Sequence, residues 1–271
     1  MKIIINNEVH KLDRSFIYSG GEVQVRLPEF PSFYDSDIII ESKLTSSDKI
    51  IELMLVADAL KYYFPNCNKV LRCYYFPYAR QDRRCVPGEA HSLSVMLGLI
   101  HSLSFNEIYI ADFHAELSLL EPYPKFKHIS QTDIFWKHQS EVHNVDILIA
   151  PDKSAKDKVR SLSHCFDKPC LQAGKVRNLD SRSIESITVD SNIETIKNKN
   201  ILIVDDICDS GSTIVNLVNN IKQYNPSSIS YYITHGIFSK GLDVLFNAGI
   251  SKVITTNSLD HSDPRLIIIE I

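Results

Sequence analysis

Short apolar runs alternate with stretches of helical period along the 271 residues of the chain. Runs at 38–40, 69–75, 107–110, 145–150, 201–204, 228–234 and 252–255 predict strands. Between them, 48–63, 93–103 and 213–224 predict helices. In the last of these, Ile214, Leu217, Val218 and Ile221 fall at i, i+3, i+4 and i+7, one apolar face of a 3.6-residue period. Ser212 or Thr213 is the expected N-cap, and Pro226 the stop. Strand–helix alternation predicts an α/β fold built of βαβ units, with mostly parallel sheets covered on both faces. The polar stretch 138–144 marks a boundary between two domains, 1–142 and 143–271. In such sheets ligands bind beyond the carboxyl ends of the strands, so the chemistry is sought in the loops that follow them.

Composition narrows the classes. Apolar residues make up 44% of the chain and charged residues 23%, with a net charge of −4. These are globular values without the basic excess of a nucleic-acid partner. No run approaches the ~18 apolar residues of a membrane span, and the N-terminus turns polar too early for a signal peptide. The six cysteines form no CxxC pair and no metal-ligand rhythm, which reads as reduced thiols of a cytoplasmic protein.

The richest segment is Val204-Asp-Asp-Ile-Cys-Asp-Ser-Gly-Ser-Thr213. A strand ends in two carboxylates, a small hydroxyl-rich turn follows, and a helix begins. Backbone N–H groups and the positive end of a helix dipole suit a phosphate there, and the carboxylates suit sugar hydroxyls or a magnesium ion. A second segment, Phe76-Pro-Tyr-Ala-Arg-Gln-Asp-Arg-Arg84, places arginines and aromatic rings at a strand end, which suits an oligophosphate and a nucleobase. A third, Asp112-Phe-His-Ala115, places Asp112 and His114 two apart at a strand end, facing the same way, where they suit a divalent cation or its water shell. Asp152 in Ala150-Pro-Asp-Lys-Ser154 adds another acid at a strand end. Lys175-Val-Arg177 lies in a polar stretch and reads by itself as a solvated loop.

Taken together and in this order, the segments resemble the ribose-phosphate pyrophosphokinase (PRPP synthetase) family across nearly the whole chain. Ser19-Gly-Gly-Glu22, Pro77-Tyr-Ala-Arg-Gln-Asp82 and Thr234-His-Gly-Ile-Phe-Ser239 complete the likeness. The resemblance implies two tandem phosphoribosyltransferase-like (Rossmann-like) domains, an N-terminal ATP-binding one and a C-terminal one. It also implies a homo-oligomer, dimer or hexamer, and transfer of diphosphate from Mg-ATP to the 1-hydroxyl of ribose 5-phosphate, giving PRPP and AMP. It assigns ATP to Gly20, Gly21, Glu22, Arg80, Gln81 and Asp82, and Mg2+ to Asp112, His114 and Asp152. Lys175 and Arg177 become the catalytic cations of a mobile loop. Asp205, Asp206, Asp209, Ser210, Gly211, Ser212 and Thr213 become the ribose-phosphate seat.

This chain departs from the family pattern at several places. Gly20 stands where an acid is usual, the basic loop after Asp82 is short, Lys153-Ser154-Ala155 replace glycines, and Ser212 adds a side chain beside the phosphate. The altered phosphate loop brings in a 5′-substituted acceptor such as ADP-ribose, which would place the chain in NAD salvage. A PRPP-consuming phosphoribosyltransferase and a non-catalytic regulatory relative are the competing classes.

Overall fold

The computed structural model describes residues 1–30, 37–177, 184–189 and 192–271, apart from the side chains of 175–177 and 184–189. Its contacts divide the chain into two units, Met1–Ile129 and Ser130–Ile271. The polar stretch 138–144, expected to mark the boundary, lies inside the second unit. His138 there contacts the Glu270 carbonyl through Nε2 at 2.8 Å, and Glu141 takes the Lys252 ammonium at 2.7 Å.

The first unit holds β1 (Lys2–Ile5), β2 (Glu8–His10), β3 (Arg14–Ile17), β4 (Val23–Arg26), β5 (Ile38–Glu41), α1 (Ser47–Tyr63), β6 (Lys69–Arg72), α2 (Ser92–Ser102), β7 (Glu107–Ala111) and β8 (Phe126–Ile129). Six strands form one sheet in the order β2-β1-β5-β6-β7-β8, parallel from β5 to β8 and antiparallel at the β1 and β2 edge. Strands β3 and β4 make a separate hairpin. Ile38, Ile40, Leu71, Ile108 and Ile110 from the sheet are fully buried against Leu53, Val56 and Leu60 of α1 and Leu97 and Ile100 of α2.

The second unit holds α3 (Gln131–Trp136), β9 (Ile147–Ala150), α4 (Lys156–Phe166), β10 (Cys170–Arg177), β11 (Ile184–Val189), β12 (Asn200–Cys208), α5 (Ser212–Ile221), β13 (Ser228–Gly236), α6 (Asp243–Ala248), β14 (Lys252–Thr256) and β15 (Leu266–Ile269). Its sheet runs β11-β10-β9-β12-β13-β14-β15, with every pair parallel except β10 and β11. From β9 the chain moves outward to β10, then returns to the other side of β9 as β12. That reversal is a topological switch point, where crossovers leave in opposite directions and open a crevice at the carboxyl end of the sheet. Residues Ile214, Leu217, Val218 and Ile221 of α5 are buried as the period predicts, each worth about 1.5–3 kcal/mol of burial.

The N-cap of α5 differs from expectation. It is Gly211, at φ +76°, without a side-chain hydrogen bond to the helix, and Ser212 is the first helical residue. A Cβ at 211 would stand 3.0 Å from Leu245 and 3.4 Å from Val244, on top of the strain of that φ. The turn tightens here because α6 packs beneath it. No helix among the described residues is long and apolar enough to cross a membrane.

Candidate functional site

The switch point of the second unit gathers the acids. Strand β12 aligns Ile203 with Ile149 of β9, and beyond that level stand Asp205 and Asp206 on one strand and Asp152 after the other. Burial raises the Asp205 carboxyl well above the usual carboxylate range, and the charges of Asp206 and Asp152 push it further. The Asp206 N–H, donating to Asp205 Oδ1 at 2.9 Å, and the Lys158 ammonium act in the opposite direction. Lys158 comes from α4 and closes an ion pair with Asp206 Oδ2 at 2.8 Å. Asp152 Oδ1 accepts the N–H groups of Ser154 at 3.0 Å and Ala155 at 3.2 Å, turning the chain into α4. From α3, the buried Gln131 donates through Nε2 to the Asp205 carbonyl at 2.9 Å and to Thr234 Oγ1 at 3.1 Å, tying β12 to β13.

Asp209, Ser210 and Gly211 form the loop from β12 into α5. The hydroxyls of Ser210 and Ser212 stand 3.1 Å apart across it. The N-cap Gly211 puts no side-chain hydrogen bond on α5, and the Ser212 N–H donates to Ser210 Oγ at 3.5 Å; a helix N-terminus of this kind suits an anion. Cys208 beneath the loop is buried, and that burial pushes its thiol up to about 12, so it contributes no thiolate. The expected catalytic pair falls on strand β10, where the backbone of Lys175 pairs with Ile187 and Arg177 with Ile184. A hairpin strand therefore stands where a loop was read, because β11 supplies the pairing partner. The side chains of Lys175 and Arg177 lie outside the described residues.

In the first unit, Gly20, Gly21 and Glu22 form the turn of the β3–β4 hairpin, closed by Gly21 N–H to the Tyr18 carbonyl at 2.8 Å and Tyr18 N–H to the Glu22 carbonyl at 2.8 Å. The Glu22 carboxylate lies over Gly20. The hairpin is anchored by Ser15, whose hydroxyl donates to Glu52 Oε2 at 2.6 Å, with Lys49 on the same carboxylate at 3.0 Å. Arg80, Gln81 and Asp82 follow β6 in a turn that leads into α2. Arg80 and Gln81 are exposed, and His91 contacts the Asp82 carbonyl through Nε2 at 2.7 Å.

Asp112 and His114 do not share a strand face as expected. Strand β7 ends at Ala111, and Asp112 takes φ +40°, which breaks the period-2 alternation. Asp112 is buried and His114 half-buried. Among the described residues no group of three His, Cys, Asp or Glu side chains could hold a metal ion. The acids at the switch point are hard oxygen donors that fit Mg2+, an ion usually held by one or two carboxylates plus substrate phosphates and water.

A model of the phosphoribosyl transferase domain matches residues 119–259, just over half of the chain. The chain belongs to that family. Within it, it stands with the ribose-phosphate pyrophosphokinases. It is 26% identical to the ribose-phosphate pyrophosphokinase of Mycoplasmopsis pulmonis, over 94% of this chain and 78% of the relative. The enzyme of the same name from Pyrococcus furiosus is 26% identical over 98% of this chain and 90% of its own length. The fold matches a crystal structure of phosphoribosylpyrophosphate synthetase from Mycobacterium smegmatis at a TM-score of 0.81 and 21% identity, covering 97% of this chain and 87% of that one.

Two residues of this candidate site escape a reading of motifs. Lys158 and Gln131 carry no motif of their own, and they meet the acids from 48 and 74 residues away in sequence. The one sequence signal was a lysine in the helix that follows Asp152.

Proposed function

We propose that this protein transfers the β,γ-diphosphate of Mg-ATP to the 1-hydroxyl of ribose 5-phosphate, giving PRPP and AMP. The observation that carries this reading is the switch-point site, where an acid pair stands beside the N-terminus of α5. An acid pair suits the hydroxyls of a ribose, and a helix N-terminus suits its 5-phosphate. The names of the relatives support the ribose-phosphate acceptor and the product.

In this reading the ribose 1-oxygen forms a bond to the β-phosphorus and the bond from that phosphorus to the α,β-bridging oxygen breaks. AMP leaves, and the hydroxyl proton passes to solvent. Such transfers depend on alignment and charge neutralisation. Asp205 and Asp206 orient the sugar hydroxyls, with Lys158 holding Asp206 in place. The turn from Asp209 to Thr213 seats the phosphate. Gly20, Gly21, Glu22, Arg80, Gln81 and Asp82 contact the nucleotide. Lys175 and Arg177 offset negative charge on the transferring group. In the second unit Asp152, and in the first unit Asp112 and His114, are the residues that would hold Mg2+, which would supply charge stabilisation on the phosphate oxygens.

The test is AMP formation from Mg-ATP with ribose 5-phosphate or ADP-ribose as acceptor, with mass spectrometry of the product. AMP and a PRPP mass with ribose 5-phosphate are the expected result. AMP with ADP-ribose alone would keep the chemistry and change the acceptor. No AMP with either acceptor would favour a PRPP-consuming transferase or a non-catalytic relative.

A further inference from the structure

The proposed reaction assigns no role to the Thr234-His-Gly-Ile-Phe-Ser239 segment, yet this segment holds the phosphate loop from beneath. Strand β13 ends at Gly236, opposite Cys208 of β12. The chain then folds over the start of the loop. The N–H groups of Ile237 and Phe238 both donate to the Cys208 carbonyl, at 2.8 and 3.1 Å, and Ser239 N–H donates to the Asp209 carbonyl at 3.0 Å. These bonds draw the loop's carbonyls downward. At the other end of the loop, Val244 and Leu245 of α6 close on Gly211. One continuous stretch thus supports the loop at both ends.

Two residues determine how that stretch lies. Phe238 takes φ +50°, a region costly for a bulky side chain and kept only where surroundings impose it. Its ring folds back over Gly236, so that an added Cβ at 236 would lie 2.2 Å from Cε2 and 2.4 Å from Cζ. The ring is half-buried. It packs against the second unit's core, with the His261 ring 5.5 Å away between centroids. A side chain at 236 would have to displace the ring of Phe238, which occupies its place.

We propose that Gly236 and Phe238 are positioning residues for the sugar substrate: the Phe238 ring seated on Gly236 sets the height of the Cys208–Gly211 loop and thereby its hold on the substrate phosphate. The identity of that substrate rests on the proposed reaction; the brace itself does not.

The test uses the full chain with G236A, F238A and the double variant. KM for ribose 5-phosphate, KM for Mg-ATP, kcat and backbone hydrogen exchange over 205–215 without substrate are measured. G236A is expected to raise KM for ribose 5-phosphate about tenfold or more, to leave KM for Mg-ATP within about twofold, and to speed loop exchange. In the F238A background the same substitution is expected to add less than about threefold, because the clash is gone. A folded G236A with unchanged KM and exchange would overturn the proposal, as would equal losses in both backgrounds. If G236A does not fold, F238A decides: faster loop exchange supports the brace, and unchanged exchange with unchanged KM removes it. If the wild type gives no AMP with ribose 5-phosphate, the proposed reaction fails, and the exchange measurements alone decide for or against the brace.

Discussion

At the scale of single residues, the acid pair sets function against stability. The Asp205 carboxyl is raised by burial, so the folded chain binds its proton more tightly than the unfolded chain does. Stability is therefore lost as pH rises from the ordinary aspartate value of 3.8 through the raised one. Asp205→Asn keeps an oxygen for the Asp206 N–H and removes the buried charge. We expect its Tm at pH 8 to exceed that of the wild type by a few degrees, the gain shrinking toward pH 4, while sugar turnover is lost. A Tm difference that does not change with pH would remove the buried charge as its cause. Lys175→Ala is expected to lower turnover by about two to three orders of magnitude with Tm unchanged; near-normal turnover would take Lys175 out of the mechanism.

Among elements, the β3–β4 hairpin depends on helix α1 for its place. Burial raises the Glu52 carboxyl, but hydrogen bonds from Ser15 and Lys49 and the charge of Lys49 outweigh it, and the net value falls below 4.5. A lowered value means stability that is present above the ordinary glutamate range and is lost as pH falls through the folded value. Glu52→Gln should flatten the acid limb of stability and raise KM for Mg-ATP several-fold through the displaced Gly20-Gly21-Glu22 turn. Thermal melts from pH 3 to 7 with ATP kinetics at pH 7.5 read both effects, and an acid limb as steep as the wild type's would exclude the Ser15–Glu52–Lys49 link. Elements also differed in how readily the pattern announced them. At the centre of the second sheet, β9 and the first half of β12 are apolar runs buried on both faces, while β5 and β7 of the first sheet alternate buried and half-buried positions, and each expected strand was found. Strand β1, the edge strands β2, β8 and β15, the β3–β4 and β10–β11 hairpins, and helices α3 and α6 take their stability from partners, which no local pattern carries.

Across the whole molecule, burial decides which thiols can react. Cys85 and Cys165 are exposed, while Cys73 and Cys208 are buried, their thiols pushed up to about 12. Titration with a thiol reagent at pH 8 should label Cys85 and Cys165 fast, and Cys73 and Cys208 only at the rate of opening. Rapid labelling of Cys208 in the native protein would contradict the packing beneath the phosphate loop.

The sequence by itself determined the α/β class, the central strands, the apolar face of α5 and the segments that carry the chemistry, because hydrophobic period and motif order are local properties. Tertiary structure alone decided which segments meet. It set the switch point between β9 and β12, because strand order depends on which faces the crossovers bury. It brought Lys158 and Gln131 to the acid pair, turned Asp112 out of its strand, made Gly211 rather than a serine the cap of α5, and put 138–144 inside the second unit. Each of these follows from contacts between residues far apart in the chain, where no local period or propensity reaches.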